Sequence, residues 1–172
     1  MVETEAKVRV SDPAELRKKI LELGARLHRE RYFEENGLYD FPGRVLFKDG
    51  RALRIRTMGK KAYLTFKGRP QKSRTFKIRE EFETEVKSAR ELRKILASLG
   101  LKPTFAYQKH RTVFRKGPLK ICLDELEIGN YLELEGPRHD IIRFAKSVGI
   151  PRKELIKRDY VQLIQEARGK EA

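Results

Sequence analysis

The sequence predicts an α+β fold: an antiparallel β-barrel or tunnel of about eight strands with flanking α-helices, forming a single domain over residues 1–172. Three observations predict it. Segments of period-two alternation recur along the chain, divided by hairpin signals such as Asp49-Gly50 and Gly129-Asn130. Amphipathic helices with N-cap signals interrupt these segments. The polar faces carry acids and bases in repeated i, i+2 pairs, whereas an ordinary solvated face mixes Thr, Ser, Gln and Lys. A barrel of about eight strands is wide enough inside for side chains or one small ligand.

The elements follow in order. In the first strand, Glu3, Glu5, Lys7 and Arg9 share one face, and Val2, Thr4, Ala6, Val8 and Val10 the other. Asp12-Pro13-Ala14-Glu15 then supplies an N-cap, a first-turn proline and a capping-box glutamate. Leu16, Ile20 and Leu23 form the apolar stripe of that helix, and Gly24 ends it. Strand-like stretches follow over 27–35, 37–40, 52–57, 62–67 and 75–86. Ser88 with Glu91 caps a second helix that stops at Leu99-Gly100. Further strands are expected over 106–115, 119–126 and 131–135, and helices over 141–148 and 151–167. The strand-then-helix stretches 3–23 and 81–99 resemble each other, as two similar halves would.

The faces carry the functional signal. Arg54 and Arg56 lie opposite Leu53 and Ile55; Lys67 shares a face with Tyr63 and Thr65. Lys77, Arg79, Glu81, Glu83 and Glu85 lie opposite Phe76, Ile78 and Phe82. Lys109 and Arg111 lie opposite His110 and Phe114, and Glu133 and Glu135 opposite Leu132 and Leu134. Asp124 joins Lys120 and Cys122. A cavity lined with bases is unfavourable unless acids, an anion or both accompany them. Clustered carboxylates invite a divalent cation with oxygen ligands.

Composition bounds the rest. The net charge of +15 and pI of about 10.0 fit either a basic surface that binds nucleic acid loosely or a basic cavity for a small polyanion. Cys122 is the one cysteine, so no internal disulfide forms; its apolar run Leu119-Lys120-Ile121-Cys122-Leu123 marks it as packed or pocket-facing rather than nucleophilic. No apolar run long enough for a membrane span and no signal peptide is present, so a cytoplasmic protein is expected. Abundant Lys, Arg and Glu with scarce Asn fit a heat-adapted source. His28, His110 and His139 lack metal spacing and read as structural or solvent-facing. No Gly-rich phosphate loop occurs.

The motifs together resemble the CYTH superfamily, named for class IV adenylyl cyclases and thiamine triphosphatases. They are Glu3-x-Glu5-x-Lys7, Leu53-Arg54-Ile55-Arg56, Thr65-Phe66-Lys67-Gly68, Arg79-Glu80-Glu81-Phe82-Glu83, Lys109-His110-Arg111, Leu123-Asp124 and Glu133-Leu134-Glu135. The resemblance implies a tunnel of antiparallel strands that holds a triphosphate. By similarity, Lys7, Arg54, Arg56, Lys67, Arg79, Lys109 and Arg111 grip phosphate, with Lys109 also catalytic. Glu3, Glu5, Asp124, Glu133 and Glu135 hold Mg²⁺ or Mn²⁺, with Glu81 and Glu83 as further candidates. The implied function is metal-dependent cleavage of inorganic, thiamine or nucleoside triphosphate, with triphosphatase activity favoured. The alternatives are cyclisation of ATP to cyclic AMP and pyrophosphate, or a non-catalytic module for polyphosphate or nucleic acid. The implied partner is a small-molecule triphosphate, with no specific nucleic acid and no membrane, on a monomer or homodimer.

Two positions depart from the family pattern. In several family triphosphatases a tyrosine stands two residues before Asp-x-Pro; here that position is Leu38, and Tyr39 is one step on. Either Tyr39 points outward, or the strand is bulged, or the reaction does not use it. The family's C-terminal Ser-Tyr is Asp159-Tyr160 here, with Tyr160 expected to pack at the core edge.

Overall fold

The structure is a computed structural model that describes residues 2–170. Eight strands and five helices run in the order β1 (Val2–Val10), α1 (Pro13–Glu22), β2 (Arg26–Asp40), α2 (Val45–Lys48), β3 (Ala52–Met58), β4 (Lys61–Lys67), β5 (Lys77–Val86), α3 (Ala89–Ser98), β6 (Lys102–Lys116), β7 (Leu119–Leu126), β8 (Gly129–Glu135), α4 (Arg138–Ser147) and α5 (Tyr160–Lys170). The hydrogen-bonded strand order β1-β5-β4-β3-β2-β6-β7-β8 closes on itself, so the sheet is the expected barrel.

The chain contacts itself most densely as two compact units. One comprises Phe33–Gln71 and Arg79–Gln108 with Val2; the other comprises Glu3–Tyr32, Lys72–Ile78 and the chain from Lys109 onward. In the second unit, Ala6 and Val8 of β1, Ile121 and Leu123 of β7, and Leu132 and Leu134 of β8 form one apolar face. Leu16 and Ile20 of α1 and Ile141, Phe144 and Ala145 of α4 cover it. The first unit has a smaller core of Tyr39, Leu46, Ile55, Leu96 and Leu101.

Local chemistry sets the element ends. The Glu15 N–H donates to Asp12 Oδ1 at 2.9 Å at the start of α1, and the Glu91 N–H to Ser88 Oγ at 3.2 Å at the start of α3. β1–α1 and β5–α3 thus repeat one strand-then-capped-helix plan. Gly136 ends β8 at φ +151, where its N–H donates to the Thr4 carbonyl at 3.0 Å. A Cβ there would meet the Pro118 carbonyl oxygen at 3.2 Å, so glycine suits the close approach.

Three expectations change. The stretches 27–35 and 37–40 are one strand, β2, because Gly37 keeps its place in the ladder opposite Ile55. The helix expected over 151–167 is a 3₁₀ turn at Arg152–Glu154, an extended segment and then α5. The extended segment follows from a two-way backbone pairing with β1: Lys7 N–H donates to the Ile156 carbonyl at 2.9 Å, and Ile156 N–H to that of Lys7 at 2.7 Å. The short α2 was not expected. The buried Asp40 carboxylate accepts the backbone N–H groups of Phe41, Leu46 and Phe47 at 2.7–2.9 Å, supplying the acceptors its first turn lacks.

Candidate functional site

In the second unit, strand register determines which charges meet. Glu133 stands opposite Lys7 in the β1–β8 ladder, and Asp124 opposite Arg111 in the β6–β7 ladder. Residues opposite in a ladder share a face. Arg111 donates from Nε to Asp124 Oδ1 at 2.6 Å and from Nη2 to Oδ2 at 2.5 Å, and reaches Glu133 Oε1 at 2.7 Å. Lys109 Nζ donates to Asp124 Oδ2 at 3.1 Å. Lys7 Nζ lies 2.9 Å from both Glu5 Oε1 and Glu133 Oε2. Lys120 meets Glu135 at 2.8 Å on the same face. Glu3 shares the β1 face of Glu5 and Lys7 and is half-buried.

Burial makes these charges consequential. Asp124 is 1% exposed, Lys7 2% and Lys109 4%. Burial disfavours the Lys7 ammonium, but Glu133 and Glu5 outweigh it and raise its pKa. Burial likewise opposes the Glu133 carboxylate, and Lys7, Arg111 and Lys109 outweigh it, holding the group well below its usual range. Burial pushes the Cys122 thiol up to about 11, so it stays protonated near neutrality and is a packed side chain.

Tyr160 was expected at the core edge, yet its hydroxyl donates to Asp124 Oδ2 at 2.6 Å. Its ring lies 5.1 Å from Lys7 Nζ and 4.8 Å from Lys109 Nζ and packs edge-on against Tyr131. The preceding Asp159 pairs with Lys77 and caps α5, accepting from the Gln162 N–H at 2.9 Å. The start of α5 thus reaches the charged face. Helical periodicity carried no sign of this, because the contact is set by the extended segment before the helix.

The first unit holds a second charged network. Arg56 donates to Glu83 Oε1 at 2.7 Å and to the fully buried Glu34 at 3.4 Å. Arg54 lies 3.5 Å from Glu83 and 3.7 Å from Glu81, and Lys67 pairs with Glu81. Thr65 donates to Glu83 Oε2 at 2.7 Å. Arg79 is 7% exposed on the β5 face of Glu81 and Glu83 and has no carboxylate partner among the described residues. The Nε groups of Arg54 and Arg56 are buried without an acceptor. Glu34 and Asn36, both buried here, were missed by sequence reading; their two-residue spacing in phase with Arg54 and Arg56 was the available signal.

The register answers the tyrosine question. β2 runs unbulged from Glu35 to Tyr39 against β3; Leu38 pairs with Arg54 and shares its face, while Tyr39 pairs with Leu53 and packs with Ile55 and Leu96. Tyr39 therefore points away from the charged face.

The carboxylates are the hard oxygen donors that suit Mg²⁺ or Mn²⁺. Glu5 and Glu133 converge on Lys7, and Asp124 and Glu133 on Arg111, so the donors suit a divalent cation in chemical type. Their oxygens face bases rather than one another, and among the described residues no group of three or more His, Cys, Asp or Glu side chains is arranged to hold a metal. No helix among these residues is long and apolar enough to cross a membrane.

Known proteins resemble this chain in sequence and fold. The CYTH domain family model matches residues 1–160. A Methanocaldococcus jannaschii protein named “putative adenylate cyclase” is 27% identical over 174 residues, covering 95% of this chain and 98% of its own. The crystal structure of a Vibrio parahaemolyticus protein with the same name matches at TM-score 0.85 and 20% identity, covering 96% and 98% of the two chains. A Hippeastrum protein called “putative adenylyl cyclase”, with a dominant triphosphatase activity, matches at TM-score 0.68 and 21% identity, covering 96% of each. At these identities the two structures establish a shared fold. With the family model spanning nearly its whole length, the chain belongs to the CYTH domain family.

Proposed function

We propose that this protein is a divalent-metal-dependent enzyme that binds and cleaves a triphosphate, with hydrolysis as its reaction. One observation carries the reading: buried bases and carboxylates neutralise each other on the sheet faces, while among the described residues Arg79 has no carboxylate partner and the Nε groups of Arg54 and Arg56 have no acceptor. A site of this kind accepts a metal–triphosphate pair by ion exchange. Phosphate oxygens would replace carboxylates on the bases, leaving those carboxylates available to hold a cation.

In this reading the phosphate-binding bases are Lys7, Lys109 and Arg111 in the second unit, and Arg54, Arg56, Lys67 and Arg79 in the first. Glu3, Glu5, Asp124, Glu133 and Glu135 would hold the cation, which supplies charge neutralisation and polarisation of the phosphoryl group. Lys109, steered by Asp124, places a positive charge where negative charge grows during attack. Most of the acceleration then comes from positioning and fixed charge. The reading includes a cytoplasmic monomer or homodimer.

A class IV cyclase-like conversion of ATP to cyclic AMP and pyrophosphate is the second reading, favoured by the name of the near-full-length Methanocaldococcus relative. A non-catalytic basic module is disfavoured, because acids accompany the bases strand by strand and weaken a plain nucleic-acid surface.

The deciding experiment offers ATP, inorganic triphosphate and thiamine triphosphate separately with Mg²⁺ or Mn²⁺ and identifies the products. Orthophosphate is expected. Cyclic AMP with pyrophosphate transfers the assignment to the cyclase, and no product from any of them, alongside tight metal-dependent triphosphate binding, points to a sensor or carrier in an enzyme's fold. Glu135→Gln is expected to abolish turnover with an unchanged circular-dichroism spectrum; full metal-dependent activity in that variant overturns the metal assignment.

A further inference from the structure

We infer that Asn36 reads the organic end of the substrate, taking a group that carries a hydrogen-bond donor beside an acceptor. This rests on the triphosphate reading above. Asn36 is 1% exposed, and neither its amide nitrogen nor its amide oxygen has a hydrogen-bond partner among the described residues. Buried side-chain amides are ordinarily paired, so one left wholly unmet calls for a reason. Its place supplies one. Asn36 stands opposite Arg56 in the β2–β3 ladder and so shares the face of Arg54, Arg56 and Tyr63.

The unmet groups define the ligand. The Nε donors of Arg54 and Arg56 and the Asn36 amide nitrogen all need acceptors, which phosphate oxygens supply. The Asn36 carbonyl oxygen needs a donor, and phosphate has none to give at neutral pH. A side-chain amide is matched in full by a donor next to an acceptor, as an amino group beside a ring nitrogen. Adenine presents that edge, and so does the aminopyrimidine of thiamine; inorganic triphosphate does not. Tyr63, whose ring centroid is 5.1 Å from the Arg56 guanidinium carbon, adds a flat aromatic surface to the same face. Arg56, the guanidinium beside Asn36, is held by Glu83 at 2.7 Å and only loosely by Glu34 at 3.4 Å, near the limit of a hydrogen bond. Access to Asn36 therefore requires the substrate phosphate to exchange with Glu83 on Arg56, as the triphosphate reading already requires.

The test measures affinities for wild type and Asn36→Ala by rapid mixing with Mg²⁺, before product accumulates. The probes are ATP, purine riboside triphosphate (ATP without its 6-amino group), thiamine triphosphate and inorganic triphosphate. The variant is expected to lose about tenfold or more for ATP or thiamine triphosphate, the scale of a two-point base contact, with inorganic triphosphate unchanged. Loss for ATP assigns adenine; loss for thiamine triphosphate assigns the aminopyrimidine. In the adenine case, removing the 6-amino group costs wild type a similar factor and the variant nothing. Ligand-free Asn36→Leu is expected to melt at or above the wild-type temperature. Equal losses for all four probes, together with a lowered melting temperature, make Asn36 structural and overturn the inference. Unchanged affinity for both organic triphosphates also overturns it while the triphosphate reading stands. If wild type binds none of the probes, the triphosphate reading itself has failed.

Discussion

Arg56 and Arg79 show how one residue type takes two energetic positions on one sheet face. Arg56 is balanced by Glu34 and Glu83, whereas Arg79 is buried and pairs with no carboxylate among the described residues. Removing a base from a buried pair strands its acid, so Arg56→Ala should lower both stability and triphosphate affinity, the latter by about 1.5–3 kcal/mol. Arg79→Met keeps the aliphatic stem and strands nothing. It should weaken triphosphate binding by a similar amount with little change in denaturant midpoint. Titration calorimetry beside urea unfolding separates the two, and an unchanged affinity in either variant removes that residue from the binding set. The residue types and their two-residue spacing were legible in the sequence. The acid that each base meets was not, because it depends on which strand lies alongside.

Two elements owe their position to single side chains. α5 reaches the charged face through Tyr160, whose hydroxyl bond to Asp124 joins a neutral donor to a buried carboxylate. Tyr160→Phe keeps the ring over Lys7 and Lys109 and removes that bond. It is expected to cost about 1.5–3 kcal/mol in unfolding free energy and to lower kcat more than it raises KM; a variant with wild-type stability and kcat makes the contact incidental. α2 depends on Asp40, which accepts three backbone N–H groups. Asp40→Ala should destabilise the protein by about 1–2 kcal/mol, the scale of a lost helix cap, and speed amide exchange at Leu46 and Phe47. Slow exchange at those amides would show that packing alone holds the turn. Sequence showed the caps of α1 and α3 because donor and acceptor are three residues apart. The Asp40 contacts to Leu46 and Phe47 span six and seven residues, and Tyr160 meets Asp124 across 36, so neither follows from a local pattern.

At the scale of the molecule, stability is tied to pH from both sides. Burial opposes the Glu133 carboxylate, but Lys7, Arg111 and Lys109 hold its pKa well below the ordinary value. Its stabilising contribution is therefore present above the ordinary carboxylate range and lost as the pH falls through the depressed value. Glu133→Gln should cost about 3–5 kcal/mol at pH 7, with the difference from wild type shrinking below about pH 4. Cys122 acts at the alkaline end. Its thiol, raised by burial from an ordinary 9.0 to about 11, keeps its proton in the folded chain after the unfolded chain has lost it. Stability should fall between those values, and Cys122→Ala should flatten the fall. Urea unfolding across the pH range tests both; parallel curves for variant and wild type would reject the assignments.

The sequence alone determined the strand alternation, the two capped helices, the barrel class and the roster of charged residues. These depend on period-two and helical spacing, which are local. Only the tertiary structure decided that Tyr39 faces the core, that residues 155–157 extend along β1 instead of coiling, and that Tyr160 and Asn36 belong with the charged faces. A residue's face follows from its own strand, but its partner follows from the register between strands. Register is settled by burial and hydrogen bonding over the whole ladder.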